Sequence, residues 1–301
     1  MVKTLLFILC SFLCARGADS DLMLWLKFDD SFESALRATD SSGWTNDAVA
    51  VADEAKTYTG HYCPVAVAGK VGSAAAFRNH GTNEYYQVYN GTTYYGPQFS
   101  GYIMGDWLAV TNWAGLAKIT NGTIACWVMF TNSDKSHTLI SGGVSGETRS
   151  WHLGFWDSET LRFQDCGTPR TLIQWPDLAT NIWWHIAVAW SGADNRVTGY
   201  TNGVACAAVN TLGLDYVESA HPVTGNQWIS VGTQTHGGTW NIDGDAVDVY
   251  PNHGWGLMWL DELRVYRREL STAEIVGLRD YAGLAVKANL RGAARLTKGT
   301  L

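Results

Sequence analysis

Proline is scarce, with six residues in 301, and none of them cluster. Without a Pro/Ser/Gly-rich linker nothing divides the chain, and a single sandwich of this length is common, so one domain is expected. Long apolar runs are also missing. The stretch from Leu5 to Leu13 follows the early cation Lys3 and precedes a small-residue exit at Ala15-Arg16-Gly17-Ala18. It is too short to span a bilayer and has the form of a secretory signal peptide over residues 1–18, with cleavage after Gly17 leaving Ala15 and Gly17 at the small-residue positions. A secreted product is expected, extracellular or, in a bacterium, periplasmic, with no membrane span.

Positive charge is in deficit: 21 Lys and Arg against 28 Asp and Glu give −7, which disfavours nucleic acid and leaves no basic stripe for a membrane surface. Beyond the leader the cysteines are few. Cys63, Cys126, Cys166 and Cys206 lack metal-ligand spacing, and in an exported chain they are candidates for disulfides in any of three connectivities. The eight histidines form no metal-binding pair at helical spacing. His185, inside a strand, reads as a satisfied structural residue, while His137, His152, His236 and His253 fall in or beside loops that can share one rim.

Catalytic signatures are absent as well. No Glu-x-Asp-x-(x)-Glu strand sets two carboxylates on one face, and Glu147, Glu159 and Glu262 stand alone. A lyase-type set of Arg, Glu, Gln and His strands, a Gly-x-Ser-x-Gly elbow and a phosphate-binding glycine loop are all missing. The sequence therefore leans away from enzymatic activity, and a divergent polysaccharide hydrolase or lyase is kept as an alternative.

What is present is a series of short β-rich runs punctuated by 32 glycines. Strands are expected over 22–28, 74–77, 107–110, 123–130, 138–141, 151–155, 160–164, 183–190, 197–201, 204–209, 228–231 and 257–266. Asn202-Gly203 marks a two-residue hairpin, because both positions tolerate positive φ. One helix is expected after Leu270, where Ser271 and Glu274 form a capping box and Leu270 and Ile275 a hydrophobic staple. The basic tail beyond Ala282 carries Lys287, Arg291, Arg295 and Lys298 without an acid and is expected to be solvated.

The segment Trp259-Leu260-Asp261-Glu262-Leu263-Arg264-Val265-Tyr266, the opening Leu24-Trp25-Leu26-Lys27-Phe28-Asp29-Asp30 and the loop Asp40-Ser41-Ser42-Gly43-Trp44-Thr45-Asn46-Asp47 resemble the laminin-G-like domains of the concanavalin A-like lectin/glucanase superfamily. Gly69 to Phe77, Ile124-Ala125-Cys126-Trp127-Val128, Trp184-His185-Ile186-Ala187-Val188 and Tyr200-Thr201-Asn202-Gly203-Val204 continue the resemblance in order. It implies an all-β jelly roll of two antiparallel sheets with first and last strands close together, which with the one short C-terminal helix spans residues 19–282 and leaves the basic stretch 283–301 as a flexible tail.

If those strands are neighbours, Asp29, Asp30 and Asp261 converge, with Asp40 and Asn46 adding oxygens from the adjacent loop. Hard oxygen donors suit Ca²⁺, and the resemblance implies a structural calcium in this region. The alternative is that Asp40 and Asn46 make turn hydrogen bonds and that Asp261 and Glu262 are strand-end polar groups. A second acidic run, Asp243 to Asp248, lacks the terminal glutamate of a calcium loop.

The aromatics carry the functional expectation. Trp25, Trp127, Trp184 and Trp190 sit in strand patterns and read as packing residues, whereas Trp113, Trp151, Trp156, Trp175, Trp240 and Trp255 lie in or beside polar turns. Between Phe77 and Asp106 the chain departs from the family with an insertion holding Tyr85, Tyr86, Tyr89, Tyr94, Tyr95, Phe99 and Tyr102. Long loops inside compact domains are commonly functional, and this one is too aromatic for a disordered linker. Flat aromatic faces stack on sugar rings while nearby amides and carboxylates fix hydroxyls. Non-catalytic binding of a glycan or polysaccharide is therefore expected, with Tyr85, Tyr86, Tyr94, Tyr95, Trp113 and Trp240 as candidate contacts. An adhesion or structural module binding protein through the same loops is the other alternative. Asn90-Gly91-Thr92 and Asn121-Gly122-Thr123 match the N-glycosylation pattern, relevant only in a eukaryotic source.

Overall fold

The computed structural model describes residues 19–30, 35–50, 63–78, 86–89, 92–95, 106–110, 121–131, 138–144, 150–155, 160–165, 170–209, 227–232, 234–236, 250–253 and 257–281. Two eight-stranded sheets dominate. The first runs β16 (Val204–Val209), β15 (Arg196–Thr201), β14 (Trp184–Ser191), β9 (Asn121–Phe130), β20 (Met258–Tyr266), β5 (Ser73–Phe77) and β4 (Val65–Ala68), with β1 (Leu22–Leu26) also paired to β20. The second runs β13 (Arg170–Gln174), β12 (Leu161–Asp165), β11 (Ser150–Phe155), β10 (Thr138–Val144), β17 (Gln227–Val231), β8 (Leu108–Val110), β3 (Ala48–Ala50) and β2 (Arg37–Ala38). Two ribbons stand apart, β6 (Tyr86–Tyr89) with β7 (Thr92–Tyr95), and β18 (Gln234–His236) with β19 (Tyr250–His253). Every pairing is antiparallel.

The sheets close on one core, to which the first contributes Leu24, Leu26, Ile124, Val128, Ile186, Val188, Leu260 and Leu263, and the second Leu108, Ile140, Leu153, Phe163, Ile173 and Ile229. The other face of the first sheet is covered too. Helix α1, residues 272–281, lays Ile275 and Leu278 over a patch of Ala125, Ala187, Ala189, Tyr200 and Tyr266. The alanines keep that patch low enough for a helix to approach closely. Because β9 and β14 are buried on both faces, they read as near-continuous apolar runs rather than alternating ones, while β20, equally buried, is interrupted by Asp261, Glu262 and Arg264.

Local signals in the sequence correspond to observed geometry. Ser271 N–H donates to Glu274 Oε2 at 2.8 Å and Glu274 N–H to Ser271 Oγ at 3.3 Å, closing the capping box, while Leu270 and Ile275 are both buried. Hydrogen bonds from Arg268 and Ser271 hold the Glu274 carboxyl down to about 2. Asn202 and Gly203 have φ of 50° and 78°, as the two-residue turn requires.

Three expectations change. Trp175 is not a loop aromatic: it is 1% exposed, a core member with its Nε1–H donating to Tyr200 C=O at 3.1 Å. Trp151 lies on β11, where a strand is expected, but packs partly buried against the core and is not a loop aromatic. No disulfide joins the described cysteines Cys63, Cys126 and Cys206 to one another, and Cys166 lies outside the described residues. Burial pushes the Cys126 thiol far above its ordinary range, leaving it an inert core residue. Among the described residues no helix is long and apolar enough to cross a membrane.

Candidate functional site

Several strands end at one corner of the sandwich. Phe77 at the end of β5 pairs with Met258 at the start of β20, which pairs with Phe130 at the end of β9. In the facing sheet Leu108 pairs with Val231 at the end of β17. The insertion leaves this corner after Arg78 and returns at Asp106 through a closed neck. Asp106 N–H donates to Arg78 C=O at 2.9 Å, Arg78 N–H to Asp106 Oδ2 at 2.9 Å, and Arg78 Nε–H to the same oxygen at 2.8 Å. A further Arg78 N–H reaches Cys63 C=O at 3.0 Å, and the Asp106 carboxylate is buried.

Inside the insertion the ribbon pairs Tyr86 with Tyr95 and Gln87 with Tyr94. Three candidate contacts are thus drawn onto two adjacent strands; Tyr85 lies outside the described residues. At the same corner Gly232, with φ of 90°, turns the chain from β17 toward β18, and a Cβ there would strike the Phe77 ring. The β18–β19 ribbon that follows pairs Gln234 with His253 and His236 with Tyr250, and residues 237–249, including Trp240, connect its strands. Trp240 itself and the acidic run Asp243 to Asp248 lie outside the described residues.

The structure therefore roots the tyrosine insertion, at Arg78 and Asp106, and the β18–β19 ribbon, at Gly232, at one corner. Trp113, also outside the described residues, belongs to a segment that departs after Val110, at the other end of β8. Of the four loop histidines, His236 and His253 share one ribbon, His137 lies outside the described residues, and His152 is buried on β11 with its Nε2 3.0 Å from Thr138 Oγ1.

A second polar cluster lies midway along β20, whose free edge is shared end to end by β5 and β1. β5 pairs with Met258 to Leu260 and β1 with Leu263 to Tyr266, which leaves Asp261 and Glu262 at the junction. The ladder with β9 slips between Asp261 and Arg264, and Glu262 takes φ of 53°, the geometry of a bulge. The turn from Gly69 to Gly72 fills the gap. Asp261 Oδ2 accepts from Val71 N–H at 2.8 Å and from Lys70 N–H, while Asp29 Oδ1 accepts from Ser73 N–H at 2.9 Å. A Cβ on Gly69 would come within 2.7 Å of Asp261 Oδ2, and one on Gly72 would collide with Asp29 Oδ1.

Asp29 and Asp261 thus meet at one turn. Burial, with the like charges of Glu262 and Asp29, raises the Asp261 carboxyl to about 8 against the pull of its backbone donors. Its Oδ1 has no hydrogen-bond partner among the described residues, and neither has the buried Asp30 Oδ1. Unsatisfied carboxylate oxygens of this kind are the hard donors that Ca²⁺ takes, and Asp29 and Asp261 are the pair that the turn brings together. Asp40 and Asn46 are engaged in their own loop. Asp40 accepts four hydrogen bonds, from Trp25 N–H, Ser42 N–H, Ser42 Oγ–H and Asn46 N–H, while Asn46 Nδ2–H donates to Met23 C=O at 2.7 Å. Among the described residues no three His, Cys, Asp or Glu side chains gather as a metal-holding group.

Glu262 is more than a strand-end polar group. It pairs with Arg264 and accepts from Trp25 Nε1–H at 2.8 Å, and the Arg264 guanidinium lies 4.5 Å from the Trp25 ring and 5.5 Å from Tyr281 on α1. Sheet and helix are tied through this cluster. His185 is buried as expected but not satisfied, with neither ring nitrogen partnered among the described residues. It stacks edge-on to Trp127 at 5.2 Å, and burial, then Arg264 and Arg279, lower it to about 3.

A family model described as the concanavalin A-like lectin/glucanases superfamily matches residues 100–276. The chain belongs to this superfamily. Among solved superfamily-like folds, domain 4 of AbnA, an extracellular GH43 arabinanase from Geobacillus stearothermophilus in complex with arabinotriose, is 19% identical with a TM-score of 0.52, covering 86% of this chain and 98% of that one. The binding domain of Paraclostridial Mosquitocidal Protein 1 is 15% identical with a TM-score of 0.51, covering 88% of this chain and 53% of that one. Both share the jelly-roll fold. No curated protein matches the chain. For this superfamily member the match reaches from the insertion through β20 into α1, so the junction at Asp261 lies within it and Asp29 before it.

Proposed function

We propose that this is a secreted, non-catalytic carbohydrate-binding domain whose glycan site is the corner formed by the insertion and the 237–249 excursion. The observation that carries the reading is that the insertion and the β18–β19 ribbon are rooted at one corner, the first by Arg78 with Asp106 and the second by Gly232. Aromatic side chains supply the flat faces on which sugar rings stack, and Gln, Asn and His are residue types that bind hydroxyls. The arabinanase domain, which holds arabinotriose on the same fold, supports the choice of ligand class. Calcium at Asp29 and Asp261 has a structural role in this reading, joining first strand to last.

Retention on arabinan, xylan, mannan, β-glucan and chitin tests it, comparing the mature chain with one whose residues 80–104 are replaced by a short Gly/Ser linker between the Arg78 and Asp106 anchors. The linker chain is expected to lose most of the binding, and no sugar product is expected from any polysaccharide. Undiminished binding would overturn the site. Release of reducing ends or unsaturated products would overturn the non-catalytic role.

A further inference from the structure

At the opposite end of the sandwich the loop Asp40 to Asp47 presents Trp44, 43% exposed, to solvent. β20 separates the two ends: from Met258 at the insertion corner to Tyr266 its nine residues extend about 26 Å at ~3.3 Å per residue. Arg267, the next residue, places its guanidinium 5.5 Å from the Trp44 ring. Its Nε–H donates to Asp21 Oδ1 at 2.9 Å, and both side chains are partly exposed.

The loop is built to hold this geometry. Asp40, buried, fixes it through four hydrogen bonds, and Trp44 N–H donates to Ser42 Oγ at 3.2 Å. Gly43 and Thr45 on either side adopt φ of 97° and 58°. Nothing lies within 4 Å of a Cβ built on Gly43, so the backbone turn and not crowding selects glycine there. A buried carboxylate and two positive-φ residues therefore set an indole that is then left in water, whereas an indole needed only for packing would be turned inward.

We propose that Trp44, Arg267 and Asp21 form a second carbohydrate-binding platform, separate from the insertion corner. The ligand is a sugar ring lying with its C–H face on the indole, one hydroxyl accepting from Arg267 and a neighbouring hydroxyl donating to Asp21. Among the described residues Arg267 turns its Nε–H to Asp21, whose other oxygen lies 3.6 Å from Arg268 Nε, and the remaining N–H groups of Arg267 can serve hydroxyl oxygens. The choice of ligand class rests on the carbohydrate-binding reading above; the residues are different ones. A chain with sites at both ends would bind polysaccharide bivalently and gain avidity from a repeating ligand.

The test uses the same five polysaccharides and four chains: the mature protein, Trp44→Ala, the linker replacement of 80–104, and the two changes combined. If the linker chain does not fold, Tyr86→Ala/Tyr94→Ala/Tyr95→Ala replaces it. The linker chain is expected to keep weak binding that Trp44→Ala lowers by about tenfold or more, the usual effect of removing an aromatic anchor, and that Trp44→Tyr partly restores. Residual binding unchanged by Trp44→Ala overturns the platform, as does complete loss of binding in the linker chain with Trp44 intact. In the latter case the insertion site stands alone. Binding abolished by Trp44→Ala and untouched by the linker would instead sustain the platform and overturn the insertion site. Silence of the mature chain toward all five polysaccharides overturns both.

Discussion

His185→Phe is the sharpest test of the first sheet. The imidazole is 1% exposed, with Trp127 edge-on beside it and no partner for either nitrogen among the described residues. Burial, chiefly, lowers it from 6.5 to about 3, so the folded protein holds it neutral while the unfolded chain takes up a proton below about 6.5. A lowered folded value means that the contribution to stability is intact above 6.5 and is lost as pH falls toward 3. At about 1.4 kcal/mol per pH unit the loss is about 2 kcal/mol at pH 5 and approaches ~5 kcal/mol near pH 3. Phenylalanine keeps a flat ring against Trp127 and removes both unsatisfied nitrogens, so stability at pH 7.5 is expected to be equal or higher by ~1–3 kcal/mol. Urea denaturation at pH 7.5 and 5.0, fitted with a common m-value, measures the difference. The wild type is expected to lose about 2 kcal/mol more than the variant over that interval. Parallel losses would show that the imidazole is protonated or paired in the folded state and would refute the reasoning.

Asp106→Ala leaves the donors of Arg78 facing an empty neck; with the guanidinium partly solvated, a loss of roughly 2–3 kcal/mol is expected in urea melts, and an unchanged midpoint would mean that the neck does not hold the insertion. For calcium, melting temperature is expected to rise with added Ca²⁺ and to fall with chelator, by the equivalent of about 2.7 kcal/mol at a hundredfold excess over Kd. Asp261→Asn retains the acceptor for Val71 N–H and is expected to abolish the response; a wild type indifferent to chelator would remove the metal from the clasp. Gly72→Ala forces a side chain into the left-handed region at φ of 62° and onto Asp29, for an expected cost of roughly 1–3 kcal/mol by calorimetry. Ser271→Ala, which removes one half of the capping box, is expected to cost ~1 kcal/mol in the same measurement.

Elements whose signal is contained in a few consecutive residues could be read from sequence. Asn202-Gly203 and Ser271 to Glu274 specify their own geometry, and β9, β14 and β20 are apolar enough to be strands in any context. Strands β2, β3, β4, β6, β7, β13, β18 and β19 were not legible, because two to five residues such as Arg170-Thr171-Leu172-Ile173-Gln174 carry too short a pattern to separate from a loop. Trp175 shows the same limit. Its neighbours Gln174, Pro176 and Asp177 are those of a turn, yet its burial is decided by β15 lying beneath it, 25 residues away in sequence. Composition singled out Tyr86, Tyr94 and Tyr95 as candidates, and chain topology was needed to place them on one ribbon and to root their insertion beside Gly232. Trp44 went unselected because its signal is exposure, which no residue pattern encodes.

The bulge in β20 explains how the acidic pair at 261 and 262, itself buried, is accommodated in a buried strand. Without it, Asp261 and Glu262 would point to opposite faces and one carboxylate would enter the apolar core. With Glu262 at positive φ and the ladder slipped by residues 262–263, Glu262 reaches Trp25 and Arg264 on the helix side while Asp261 turns to the Gly69–Gly72 turn. Leu263 then re-enters the core in step with Leu260. The slip also permits the partner on the free edge to change from β5 to β1 at the same place, since an irregular pair cannot continue a ladder on either side. Substituting Glu262 by glycine should therefore ease the backbone while stranding the Arg264 charge. Because a buried unpaired guanidinium costs more than a relaxed φ gains, net destabilisation of roughly 2–4 kcal/mol is expected by urea denaturation, and a stabilised variant would show that the Arg264 pair contributes little.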